Sequence, residues 1–399
     1  TFYPGLILLE YLREIQRPQR NKHADQPLQL SPNLEDQFHQ LVCKVALICQ
    51  DAPHGDTVSS CVVLEHEGDA LYVFASNNRS PQELEKTKIH LISLLQMFQT
   101  IPEDKKAINE LRDHALHKVV GIQICRIRSY LRALVEHLPN CIRSCENDTD
   151  LDGESQPDNL KMHSRSCLLI FGNFIKSLES FTQEEIQLMI RPRLTREENL
   201  MNYGDWYEIV HIIARLLAYP VAIDTFLVAR KTWPALFVSF RVDYIPSSKP
   251  MKQPLKDTPW TVERIVNKVA LNPTLRQQIK NAIGTLNKFQ LDKEIALKWR
   301  NASFSPVVHS ETLLLSWLER TEGGTHPERF FGRYKFIGTS KPLCRLCSLY
   351  VDEQGTDVKF QRSHRNLYLN WRAPDVWSSQ GDDAPPRRTF LLQEIRRKI

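Results

Sequence analysis

The sequence predicts a mixed α/β protein, helical through most of its first 300 residues, with interleaved strands and helices over the last hundred. Three observations carry this. Glycine is scarce, at 14 of 399 residues, about half of the usual ~7%, which argues against a turn-dense all-β fold. Apolar residues recur with a helical period in many blocks before residue 300. After residue 300, helical and extended patterns alternate in short pieces, as in an α/β layer. With 42% hydrophobic and 25% charged residues the chain is globular in composition. At roughly 150 residues per domain, its length suggests two or three domains.

The elements follow in order. Gly5–Leu9 is apolar but is met at once by Glu10, Arg13 and Glu14, so it reads as the start of an amphipathic helix rather than a signal core or a membrane span. No run of 18 uncharged apolar residues occurs, and no membrane partner is expected. Residues 1–56 form a helical N-terminal segment, with Phe38, Leu41, Val42, Val45 and Leu47 on a helix at 32–50. The period then changes: Val58, Cys61–Leu64 and Ala70–Phe74 flank a Gly68-Asp69 turn, a β-hairpin over 57–77. Residues 78–300 read as a helical region. Its helices fall at 83–100, 103–117, 118–145, 164–179, 182–190, 204–218, 221–230 and 260–300, with a strand at 235–246 and an acidic linker at 146–159. Residues 301–399 form the last unit, helical at 309–320, 344–351 and 389–398 and extended at 333–339 and 357–369.

Charge sharpens the division near residue 300. Residues 301–399 hold 15 Lys+Arg and 11 Asp+Glu, a net of +4, whereas the first 300 hold 37 and 36. The total of +5 is too mild to imply nucleic acid on its own. Neither GxGxxG nor GxxxxGK[ST] occurs, which removes support for dinucleotide and P-loop chemistry. Nine cysteines, an odd number in a long chain, do not make a small disulfide framework and suit a reducing, intracellular (cytoplasmic or nuclear) compartment. The chain starts at Thr1, as expected of a processed or truncated form.

The chemistry concentrates in His309-Ser310-Glu311 and Cys344-Arg345-Leu346-Cys347. Two cysteines one turn apart at a helix start share a face near the positive helix end, which lowers thiol pKa and suits a soft divalent metal such as Zn²⁺. A structural zinc site normally uses four protein ligands, and no second CxxC exists; a catalytic site needs three and an open position. His309 is the natural third ligand beside Cys344 and Cys347. Glu311 is then placed to move a proton between water and a substrate nitrogen.

His-x-Glu followed by Cys-x-x-Cys is the signature of zinc-dependent deaminases. The stretch over 305–375 resembles the OTT-like deaminases, a fungal and bacterial branch of the cytidine-deaminase-like superfamily. The resemblance rests on His309, Glu311, the Gly338-x-Ser340-Lys341 loop, Cys344, Cys347, Ser363-His364, Trp371 and Pro374. It implies a cytidine-deaminase-like three-layer α/β/α domain, a Zn²⁺ ion and a nucleobase-containing substrate, a nucleotide or single-stranded nucleic acid. It also implies that the 57–77 hairpin opens the deaminase sheet, with the helices between as one large insertion. Asn77 or Asn78 then stands where relatives contact substrate. Two departures are visible: Pro342 is separated from Cys344 by Leu343, and Ser310 stands where alanine is common.

Ser340 lies in the backbone stretch Thr339–Pro342 that would hold an exocyclic amine. Lys341 and Arg345 could meet a phosphate, and His364 with Trp371 could line a base pocket. Arg362, Arg365, Arg372, Arg387 and Arg388 make the region basic, mostly as a solvated face. The Asp148-x-Asp150-x-Asp152-Gly153 run starts like a calcium loop but lacks the closing glutamate. His114 with His117, Asp205 with Glu208 and His211, and the basic 191–196 stretch read as packing or solvated surface. The helical region is a candidate surface for a protein partner.

Overall fold

The chain is seen in a computed structural model that describes residues 2–15, 33–53, 55–150, 203–255, 258–269, 272–285, 289–300 and 304–398. Helix α1 (Phe2–Ile15) is followed by α2 (Leu34–Cys49), whose first turn is capped by the Asn33 side chain accepting from the Glu35 N–H. Strands β1 (Ser59–His66) and β2 (Asp69–Ser76) form an antiparallel hairpin. Its two turn residues are Glu67 and Gly68, both at positive φ, so the turn sits one residue earlier than the Gly68-Asp69 expected. Helix α3 (Pro81–Met97) starts with a capping box between Ser80 and Glu83 and Pro81 in its first turn. Then come α4 (Lys105–Ile122), α5 (Ile124–Asp150) and α6 (Tyr203–Thr232). Helix α6 runs straight through Pro220, where two helices were expected; the flanking Tyr219, Ala222, Ile223 and Phe226 are buried, and that packing outweighs the lost backbone bond.

The expected strand at 235–246 divides. Ala235–Val238 make one helical turn, α7, with Leu236 and Phe237 buried, and β3 (Phe240–Ile245) follows. Helices α8 (Val262–Val269), α9 (Pro273–Thr285) and α10 (Leu291–Trp299) precede α11 (Ser310–Arg320), β4 (Phe336–Thr339), α12 (Arg345–Gln354), β5 (Lys359–Phe360) and α13 (Ala384–Lys398). Of the extended 357–369 stretch only Lys359–Phe360 pairs as strand. Expected helices 164–179 and 182–190, the 191–196 stretch and most of the acidic linker lie outside the described residues.

The five strands form one mixed sheet in the order β3-β2-β1-β4-β5. Strand β1 is antiparallel to both β2 and β4; β3 runs parallel to β2, and β5 parallel to β4. The composition shift near residue 300 is therefore not a break in the sheet, which takes three strands from before it and two from after it.

Alternation along the strands sends side chains to two cores, giving three layers. Cys61, Val63, Ala70, Tyr72, Phe74, Val242 and Phe336 face α2, α3, α4 and α6. Val62, Leu64, Val73, Ala75, Ile245 and Ile337 face α11, α12 and α13. Smaller clusters join α1 with α8 and α10, and α5 with α6. The Tyr207–Thr232 stretch of α6 is long and apolar enough to cross a membrane, but 67% of its apolar window is buried inside this fold, where it is a core helix.

One contact sets how closely α2 lies on the sheet. A Cβ on Gly338 would come within 2.5 Å of the Val42 carbonyl carbon and 2.6 Å of the Cys43 nitrogen. Backbone meets backbone there, and only glycine permits it. Gly338→Ala is expected to lower stability by about 1–3 kcal/mol or more, read as a lower urea midpoint; an unchanged midpoint would contradict this packing.

Candidate metal centre

Two helix starts make the site. His309 is the N-cap of α11, but its imidazole does not cap the helix. The cap comes from outside: Asn77, just past β2, accepts a 2.7 Å hydrogen bond from the Ser310 N–H and donates at 2.8 Å to the Gly55 carbonyl. This frees the His309 ring to face the second helix start. Cys344 is the N-cap of α12 and accepts from the Cys347 N–H at 3.4 Å. The His309 Nδ1 atom lies 3.6 Å from the Cys344 Sγ and 3.5 Å from the Cys347 Sγ. With Glu311 these residues place one ligand atom each within 4.8 Å of one another, all buried, and the group could hold a metal ion.

The surroundings tune the group. Burial alone would raise the Cys344 thiol, but the hydrogen bond from Cys347 and the adjacent His309 charge outweigh it and bring it down to about 6. Burial and the Cys344 thiolate push Cys347 well above its ordinary value. For His309, burial lowers the pKa, yet Cys344, Glu311 and a hydrogen bond to the Asn370 backbone leave it raised. That backbone bond also fixes the ring's orientation, as supporting partners of metal-ligating histidines do. Glu311 is held by a short relay: the Ser310 hydroxyl donates to its Oε2 at 3.2 Å and lies 2.8 Å from the Ser60 hydroxyl on β1. The serine between histidine and glutamate thus has a use that alanine would not supply.

Residues 308–375 match the family model described as OTT_1508-like deaminase. Over this segment the chain is similar to this deaminase family. No curated protein and no solved structure matches it. The matched segment holds all four clustered residues and begins one position before His309.

The other expected site residues divide. Ser340 is tied to the sheet: its N–H donates to the Ser59 carbonyl at 2.9 Å, and its Oγ accepts from the Ser59 N–H at 3.1 Å. Asn77 has both ends of its amide used within the fold, so it positions α11; Asn78 is exposed. Trp371 is fully buried against Phe2 and Tyr350, a core residue rather than a face for a base. His364 does lie near the cluster: burial lowers its pKa to about 4, Glu311 opposes that fall, and Lys341 and Arg215 deepen it. Lys341 is half-buried beside it. Arg372 is taken up by Asp375, and Arg345 reaches the Lys398 carbonyl.

Three neighbours escaped the sequence reading. Tyr368, 46% exposed, stands 6.5 Å from the His309 ring and edge-on to His364 at 5.7 Å. Arg126 and Arg215 come from α5 and α6. The apolar spacing of Leu367, Leu369 and Trp371 hinted that Tyr368 faces away from the core; no local signal marks the arginines. Asn77→Ala is expected to cost about 1–3 kcal/mol by leaving the buried Ser310 N–H without its acceptor. Thermal unfolding should show the loss, and wild-type stability in this variant would rule out the capping role.

Proposed function

We propose that this deaminase is a zinc-dependent hydrolase that replaces the amino group of cytosine or adenine with oxygen, on a base carried by a nucleotide or nucleic acid. The supporting observation is the spacing of His309, Cys344 and Cys347. Ligand bonds of about 2.05 Å for nitrogen and 2.3 Å for sulfur at a tetrahedral angle put N and S about 3.6 Å apart. The two observed spacings are 3.6 and 3.5 Å. One imidazole and two thiolates form a three-ligand set, which suits a catalytic rather than a structural zinc. When bound, zinc supplies Lewis acidity that brings the pKa of water toward neutrality.

The chain's own residues supply the proton path. Glu311, buried at the same point and held by Ser310, takes a proton from the attacking water and passes it to the ring nitrogen beside the amino carbon. The same carboxylate then takes the remaining proton of the added hydroxyl and delivers it to the departing amine, so water and aminobase become oxobase and ammonia. Tyr368 and His364 offer ring faces at the rim for the base to stack on. In this reading the 57–77 hairpin and residues 301–399 make the catalytic unit, and residues 78–300 are inserted within it. Cys43, Cys49, Cys61, Cys125, Cys141, Cys344 and Cys347 are free thiols, which supports a reducing intracellular compartment.

Purified protein should contain near-stoichiometric zinc. Glu311→Ala should keep the metal and lose at least about a hundredfold in ammonia release on a responsive base, scored by mass spectrometry across bases, nucleosides and oligonucleotides. Wild-type turnover by this variant would sink the mechanism. Zinc affinity should fall as pH is lowered, because protons compete with the metal for the Cys344 and Cys347 thiolates and the His309 ring. Chelator competition at pH 8, 7 and 5 followed by metal analysis checks this; equal retention at all three would contradict it.

A further inference from the structure

The guanidinium of Arg126 is 1% exposed. Its Nη1 donates to the Gln50 carbonyl and its Nε to the Tyr130 hydroxyl, each at 3.0 Å. Its Nη2 is buried with no hydrogen-bond partner, and both side-chain polar atoms of the fully buried Gln50 are likewise unsatisfied. A buried charge without a counter-ion is costly, and each unmade hydrogen bond adds to that cost. Two more cations act together with Arg126: Arg215, on α6 one turn before Tyr219, and Lys341, in the loop between β4 and α12, which both arginines repel. Tyr219 ties α6 to the junction of α4 and α5 by donating to Gln123 at 3.3 Å. Among the described residues, no carboxylate pairs with Arg126, Arg215 or Lys341. The corner is contiguous with the candidate centre, since Lys341 and Arg215 both act on His364, as Glu311 does.

We propose that Arg126, Arg215 and Lys341 form a phosphate-binding subsite beside the metal centre, built for the monoester phosphate of a nucleotide and supplied largely by the inserted helices. Three cations that repel one another match a monoester, with charge near −2, better than the single charge of a strand diester. Arginine's fork also fits phosphate oxygens. Burial and the two arginines already press Lys341 down to about 8, and an anion among them would relieve that repulsion. The proposal deepens the deaminase reading and depends on it for the identity of the base.

The test is calorimetric titration of the full chain with cytidine, adenosine, their 5′-monophosphates, inorganic phosphate and a short single-stranded oligonucleotide. Wild type, Lys341→Gln, Arg215→Gln and Glu311→Ala are compared, after thermal melts establish that each folds. The monophosphates should bind at least about tenfold tighter than the nucleosides, and inorganic phosphate should compete. Lys341→Gln and Arg215→Gln should each cut monophosphate affinity about tenfold with nucleoside affinity unchanged, and Lys341→Arg should restore most of the loss. Glu311→Ala should keep the preference for phosphate, so a failed deaminase reading shows as absent ammonia release with that preference intact. No gain from the phosphate, no effect of either substitution, or an oligonucleotide that binds tighter than the monophosphate would overturn the proposal.

Discussion

The candidate centre hangs from the pairing of β1 with β4. Ser60 stands opposite Thr339 and Cys61 opposite Gly338, and Ser59 exchanges two hydrogen bonds with Ser340 just beyond. This junction fixes the end of β4, and so the loop that delivers Cys344. On its other side β1 carries β2, whose end delivers Asn77 to the start of α11. Both halves of the ligand set are thus referred to one strand. The seam is polar and buried: Ser59, Ser60, Ser76, Ser310, Thr339 and Ser340 are all nearly excluded from water. Each is hydrogen-bonded, and a satisfied buried network of this kind makes one register much better than its neighbours.

A second constraint is proximity. Helix α2 lies against β4 at Gly338 without side chains between them, and α2 ends at Cys49 and Gln50. The Gln50 carbonyl then holds Arg126, while Arg79 spans the Cys49 carbonyl, Thr87 and Asp51. The position of this buried cation therefore follows from how near α2 sits to the sheet.

How much of this was legible depended on whether the deciding interaction was local. Helices were readable because their apolar period is local, and the His309, Glu311, Cys344 and Cys347 cluster because its spacing is a chemical requirement. The turn at Glu67-Gly68 was missed by one position because both Gly68 and Asp69 are ordinary turn residues. Pro220 looked like a helix end, and only the burial of its neighbours shows otherwise. Trp371 illustrates the limit of residue type as a guide: an indole suits a base stack and a core equally, and contacts with Phe2 and Tyr350 decide for the core. Asn77 was singled out, but its bond to Ser310 spans 233 positions. Arg126 and Arg215 sit in ordinary amphipathic helices, and nothing in their own windows distinguishes them from solvated surface.

The Ser59–Ser340 bond joins positions 281 apart in the chain. At about 5–20 residues per second of synthesis, roughly 15–55 seconds separate the appearance of its two ends. Throughout that interval the outer edge of β1 offers unmet backbone groups to any strand that arrives, the hazard that edge strands carry. An edge begun by Ser59 and Ser60 is a poor template for apolar aggregation, and it waits for the partner whose Ser340 answers both the N–H and the carbonyl of Ser59.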